Sequence, residues 1–213
     1  MVKYLFELHK DRPLAYAEAL SIARRDFGPL QILDAPQGFL FFETAEPLVD
    51  LQDKIAYTHA IYEWICPFTP DALAKVDWAS YYGTSFSVRS VDRNVVDAIA
   101  PLVWNAVASP KVSLADADTV FYVFFDQVFI LCQTVSTAIH GRANHKRPVS
   151  SPVSLSPLLA MAMVNLTHGE RVYDPFCGMG GILIEAGHLG RTLIGSDNSY
   201  RMLKGSETNL KHY

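Results

Sequence analysis

Asp174-Pro175-Phe176-Cys177-Gly178-Met179-Gly180-Gly181 is the stretch whose reading decides the fold. Arg171-Val172-Tyr173 leads into it, and Ile182-Leu183-Ile184-Glu185-Ala186 leads out with helical spacing. The pattern predicts a strand, a glycine turn and a helix, the arrangement that brings backbone N–H groups up to a ligand. A second strand, Thr192-Leu193-Ile194-Gly195-Ser196, ends at Asp197. An acid at that tip is placed to hold a ribose diol. The dinucleotide fingerprint G-x-G-x-x-G fits badly, because Gly178 and Gly180 are followed by Leu183 where the third glycine belongs. That weakens a nicotinamide-dependent oxidoreductase. Asp174, just before the turn, has no role against a pyrophosphate and suits a ligand with a cationic amino group.

The 213 residues allow one large domain or two smaller ones. Half of them are apolar and 12% aromatic, ample for real cores. No run approaches the ~20 apolar residues of a membrane span. The start, Met1-Val2-Lys3-Tyr4, lacks the pattern of a signal peptide. Three isolated cysteines, Cys66, Cys132 and Cys177, fit a reduced, cytoplasmic setting and no structural zinc. The net charge of −4 argues against a generally basic nucleic-acid binder while leaving room for a local basic patch.

Outward from the glycine turn, the N-terminal third reads as an alternating strand at Val2 to Leu8 and a helix from Pro13 to about Gly28. Two short strands flank the turn Pro36-Gln37-Gly38, Glu46 to Lys54 looks helical, and Tyr57 to Ile65 alternates. The order strand-helix-strand-strand-helix-strand predicts a ferredoxin-like module over 1–67. The middle third, 68–147, holds a short helix at Pro70 to Val76, a strand at Thr84 to Val91, an amphipathic helix at Asn94 to Ala108 and a hairpin around Asp126-Gln127 whose second strand reaches Val135. It ends in a run with no acid, Ile139 to Pro148, carrying Arg142, His145, Lys146 and Arg147. Such runs are usually solvated faces. The sharper reading is a phosphate-contacting patch, extended by Arg89 and Arg93, that positions RNA without reading its sequence.

Pro148 to Pro157 is a linker by composition, and Ser156 with Pro157 opens a helix that Gly169 ends. The last helix, Tyr200 to Lys211, offers Met202, Leu203 and Leu210 as its inner face. Glu185, one turn beyond Gly181, reads as a solvated acid, and Cys177 as a small packed thiol.

The string Asp174-Pro175-Phe176-Cys177-Gly178-x-Gly180 resembles motif I of S-adenosylmethionine-dependent methyltransferases, especially those that methylate exocyclic amines in nucleic acid. Tyr57-Thr58-His59, Tyr62-Glu63, Trp78 and the strand Ser85-Phe86-Ser87-Val88-Arg89 resemble the N-terminal part of THUMP-domain proteins. His145-Lys146-Arg147-Pro148, followed by Ser154-Leu155-Ser156-Pro157, Ala160 and the Asp174 loop, is similar to the archaeal tRNA guanosine N2-methyltransferases that act at tRNA position 10. The resemblance covers the whole chain. It implies an α+β ferredoxin-like module and a THUMP module that grips the tRNA acceptor end. After a linker over 148–157, residues 158–213 would begin an α/β Rossmann-like methyltransferase domain. The implied cofactor is S-adenosylmethionine. Its amino group would meet Asp174, its body would pack on the backbone of Gly178, Gly180 and Gly181 beside Phe176 and Cys177, and its ribose hydroxyls would donate to Asp197. Gly181 stands near where relatives often carry a small Ser or Thr.

Such a domain has seven strands in relatives, and two are predicted here. The family's Asp-Pro-Pro-Tyr signature, which holds the exocyclic amine, has no counterpart, so no catalytic residue is assigned and no metal is implied. Parallel strands need covered faces and paired edges. The sequence therefore suggests the N-terminal part of a larger unit, completed by more of the same polypeptide or by a second one. The other reading is a non-catalytic THUMP RNA-binding module with an incomplete cofactor site.

Overall fold

The computed structural model describes residues 1–9, 12–134 and 137–213. Its largest element is a seven-stranded sheet in the order β2-β3-β1-β4-β7-β6-β5, and a separate two-stranded sheet carries β8 and β9. The strands are β1 (Val2–Leu8), β2 (Leu30–Asp34), β3 (Phe39–Thr44), β4 (Thr58–Pro67), β5 (Phe86–Arg89), β6 (Thr119–Phe124), β7 (Gln127–Thr134), β8 (Arg171–Asp174) and β9 (Thr192–Gly195). Helices α1 (Arg12–Asp26), α2 (Pro70–Leu73), α3 (Arg93–Ala106), α4 (Pro157–Asn165), α5 (Gly181–His188) and α6 (Tyr200–His212) complete it. Short 3-10 turns lie at Trp78–Tyr81, Thr137–Arg142 and Asn144–Lys146.

The alternation in β1 sorts its side chains to two faces. Tyr4, Phe6 and Leu8 join Phe27 and Phe42 beneath α1 in the first core. Leu5 points the other way, into an aromatic layer with Tyr62, Phe129, Phe41 and Trp64. A second core forms where α2 and α3 cover Phe86, Phe121 and Val128 around Trp78. The first core also takes in Ile139 and, from α4, Met161 and Ala162. Buried Glu18 adds a polar tie between α1 and α4. It accepts from Ala56 N at 3.0 Å, Tyr57 N at 2.8 Å and Asn165 Nδ2 at 2.7 Å. β4, which closes the first predicted unit, pairs with β7 of the second, so one sheet runs through both.

The helix expected over Glu46 to Lys54 does not form. Side chains of the sheet capture the backbone that a helix would have used. Leu48 N donates to the Tyr4 hydroxyl at 2.8 Å, and Leu51 N donates to Gln133 Oε1 at 3.0 Å. Gln133 Nε2 in turn reaches Val49 O at 3.0 Å, and Leu51 is fully buried. The β6–β7 hairpin turns one residue earlier than expected. Phe125 and Asp126 take φ of 52° and 55°, the two positive values of a type I′ turn. Gln127 thereby becomes a strand residue whose Oε1 accepts from Trp64 Nε1 at 2.8 Å. The predicted strand end at Val135 lies outside the described residues.

Candidate functional site: the glycine turn and its surroundings

β8 and β9 are parallel and in register from Arg171 opposite Thr192 to Asp174 opposite Gly195. Asp174 ends β8 opposite Gly195, Asp197 follows the end of β9, and each acid accepts from the backbone of the glycine turn. Cys177 N donates to Ser196 O at 2.9 Å, which stitches the turn to the end of β9. Asp174 Oδ1 accepts from Phe176 N at 3.0 Å. Asp197 has two partners: Oδ2 accepts from Gly178 N at 2.9 Å and Oδ1 from Ser199 N at 2.9 Å. Gly178 and Gly180 have φ of +51° and +81°, where L side chains are strained. Gly180 is the N-cap of α5, without a side-chain cap, so the first N–H groups of that helix face the turn.

A cleft of about 180 Å³ opens here, lined by Asp174, Phe176, Cys177, Gly178 and Gly181 among others. Phe176 is 83% exposed at its rim. Cys177 is buried, and burial pushes its thiol up despite a hydrogen bond from Ser206, which keeps it a neutral thiol. Five of the seven cofactor candidates therefore line one cavity; Gly180 caps α5 and Asp197 holds Gly178 N without lining it. The sequence reading missed the opposite wall. Ser151, Val153, Ser154 and Leu155, taken as linker, line the same cleft, as does Met202.

The inner face of α6 also differs from expectation. Met202, Leu203 and Leu210 are half-buried, and the residues packed inward are Gly205, Ser206 and Asn209. The glycine turn presses so close that only small residues fit opposite it. A Cβ on Gly180 would lie 2.5 Å from Ser206 Oγ, and one on Gly205 would lie 2.3 Å from Met179 Sδ. Leucine-type periodicity could not reveal this face. The small-residue pair Gly205-Ser206, with an amide one turn on, was the available signal.

The basic run divides. His145 and Lys146 are exposed, on a turn tied to the cleft wall through Asn144 Nδ2 to Ser154 O at 2.8 Å. Arg142 and Arg147 are buried and do not join the surface patch expected of them. Glu185 is the physical reason. It is fully buried rather than solvated, and Arg142 meets it through Nε at 3.0 Å and Nη2 at 2.9 Å. Arg147 Nε donates to Arg142 O at 3.0 Å, and its guanidinium lies over Gly181. Arg89 and Arg93 are exposed at the β5 edge of the large sheet, where Arg89 Nη2 donates to Leu114 O at 2.8 Å and Arg93 faces Asp97.

Comparison with known proteins meets this geometry from three sides. A family model described as an RMKL-like methyltransferase domain matches residues 144–213. The chain is 32% identical over its full length to a tRNA (guanine(10)-N2)-dimethyltransferase of Methanothermobacter thermautotrophicus, and spans 68% of that protein. It is 31% identical over 81% of its length to one of the same description from Methanocaldococcus jannaschii, and spans 53% of it. Among solved structures, TrmN from Thermus thermophilus superposes with a TM-score of 0.52 at 19% identity, covering 99% of this chain and 70% of that one. The last likeness is one of fold.

Proposed function

The chain belongs to the tRNA (guanine(10)-N2)-dimethyltransferase family, and from that premise we propose that it binds tRNA and S-adenosylmethionine as the N-terminal part of an enzyme methylating the N2 amine of a guanosine. The observation that carries the cofactor reading is one cleft lined by Asp174, the glycine turn and the first turn of α5, with Asp197 bound to the backbone of that turn at Gly178 N. Asp174 attracts the amino group of the methionine moiety, and the backbone of Gly178, Gly180 and Gly181 packs against its body. Phe176 and Cys177 line the loop. Asp197, already oriented by two backbone N–H groups, accepts from the ribose hydroxyls.

Bound in the cleft, S-adenosylmethionine would supply an activated methyl group to the guanosine amine, and this chain's part would be to hold it there through Asp174, Asp197 and the backbone of the glycine turn. Catalysis of this kind rests on positioning. The residues that hold the amine belong to strands supplied by further polypeptide or by a second chain. Two observations support such completion: β8 and β9 form a two-stranded sheet, and Tyr173 and Ile194, opposite each other in register, are 61% and 53% exposed on its outer face.

For the tRNA, residues 1–67 form a ferredoxin-like module and 68–147 a THUMP module, joined through 148–157 to the methyltransferase part at 158–213. The strand order β2-β3-β1-β4 supports the first assignment. Phosphate contact falls to Arg89, Arg93, His145 and Lys146, the exposed members of the set. The compartment is cytoplasmic, in keeping with three unpaired cysteines. Among the described residues, no helix is long and apolar enough to cross a membrane.

A second reading, RNA binding without catalysis, draws on the size of the cleft, below the ~300–1,000 Å³ of most small-molecule sites. Calorimetric titration with S-adenosylmethionine separates the two. Binding that Asp174→Ala abolishes, in a protein that still folds, supports the enzyme. Retention of tRNA with no cofactor binding by this chain or its completed form overturns it in favour of the module.

A further inference from the structure

We propose that Asn209 is a positioning residue that sets the width of the cofactor cleft; the inference rests on the reading of that cleft given above. Asn209 is fully buried on α6. Its Nδ2 donates to Met179 O at 2.9 Å and to Val149 O at 2.8 Å, and its Oδ1 accepts from Val149 N at 3.0 Å. Met179 belongs to the glycine turn, one wall of the cleft. Val149 opens the segment that becomes the other wall at Ser151, Ser154 and Leu155. A single NH₂ group therefore spans the two walls, one hydrogen to each.

The chemistry required at this point is narrow. Two carbonyl oxygens face the side chain and need donors, and one N–H needs an acceptor. A primary amide supplies all three from one planar group. A carboxylate of the same shape supplies no donor and sets negative charge against both carbonyls. An aliphatic side chain leaves these three backbone groups without their partner, Met179 O in the buried interior and Val149 N and O part-buried. The surroundings leave little slack, since a Cβ on Gly205, one turn before Asn209, would meet both Met179 and Val149. Asn209 touches no part of the cofactor on this geometry. It acts by fixing where the two walls stand, and a cleft held ~0.5 Å out of place binds its ligand poorly.

The test compares the wild-type chain with Asn209→Asp and Asn209→Ala, measuring S-adenosylmethionine affinity by calorimetry and stability by urea unfolding. Both variants should bind about tenfold or more weakly while still folded, the scale expected when buried partners are left unpaired. Asn209→Asp should recover part of the affinity in acid, where its protonated carboxyl donates to one carbonyl, and Asn209→Ala should not. Wild-type affinity in folded Asn209→Ala overturns the proposal, because a helix anchor alone would lower stability and leave the bound geometry intact. Amide exchange gives a readout independent of the cofactor. Val149 N–H should exchange slowly in the wild type and quickly in Asn209→Ala, with the amides of Ser151 to Leu155 loosening alongside. Equal Val149 exchange in the two proteins overturns the proposal whatever the ligand. Failure of both the wild-type chain and its completed form to bind S-adenosylmethionine, with slow Val149 exchange retained, instead overturns the cofactor reading of the cleft.

Discussion

At the scale of single residues, the buried charges decide most. Arg142 and Glu185 have side chains 9% and 0% exposed and meet at 2.9 Å. Removing one partner strands the other in the interior, so Glu185→Gln or Arg142→Met should each cost about 3–5 kcal/mol in urea unfolding. Replacing both by apolar residues should cost clearly less than the sum. Glu18 gives a pH signature. Burial raises its carboxyl above the ordinary 4.5, against hydrogen bonds from Asn165, Ala56 and Tyr57 that lower it. The folded state thus holds the proton more tightly than the unfolded one. This contribution is fully present below the unfolded value of about 4.5 and is lost as pH rises through the raised folded value. Stability measured against Glu18→Gln should therefore fall with rising pH across that window and then level off; a flat difference would remove Glu18 as the source. The sequence announced Asp174 and Asp197 through their places at strand ends. It could not announce Glu185 or Arg147, because burial of a charge depends on a partner 43 positions away in one case and on a glycine in α5 in the other.

At the scale of elements, local chemistry was readable wherever it was local. Ser156 and Pro157 open α4 as their types demand, with Ser156 Oγ accepting from Leu159 N at 3.3 Å. Ser156→Ala should cost about 1 kcal/mol, measurable as a lowered unfolding midpoint. The missing helix after Glu46 shows the opposite case. Its sequence is compatible with a helix, but Tyr4 and Gln133 from distant strands supply backbone partners that no local pattern encodes. The α6 face belongs to the same class: its packing rule is closeness to the turn rather than hydrophobic period. Gly180→Ala tests that rule. The new methyl meets Ser206 Oγ and the backbone sits at φ +81°, so a loss of roughly 1–3 kcal/mol is expected, part of it restored by Ser206→Gly. A double-mutant cycle that returns simple additivity would show the contact to be energetically silent.

At the scale of the whole molecule, the N-terminal sheet has helices over one face and an aromatic layer on the other, whereas β8 and β9 carry cover on one face alone. Tyr173 and Ile194, with exposed Phe176 and Tyr200 nearby in sequence, leave an apolar surface of the kind that marks an interaction site. Tyr173→Ser with Ile194→Ser should barely move the unfolding midpoint of this chain, since neither side chain belongs to a core. A large fall in stability would instead place that face inside the fold's own packing. The seven-stranded sheet has another consequence. β4 has a hydrogen-bonded neighbour on each side, β1 from one predicted unit and β7 from the other. Melting should therefore be cooperative across the 67/68 boundary, with β1 and β7 gaining and losing exchange protection together. A protease or a recombination event that separated the halves there would yield two raw sheet edges, each a template for polymerisation.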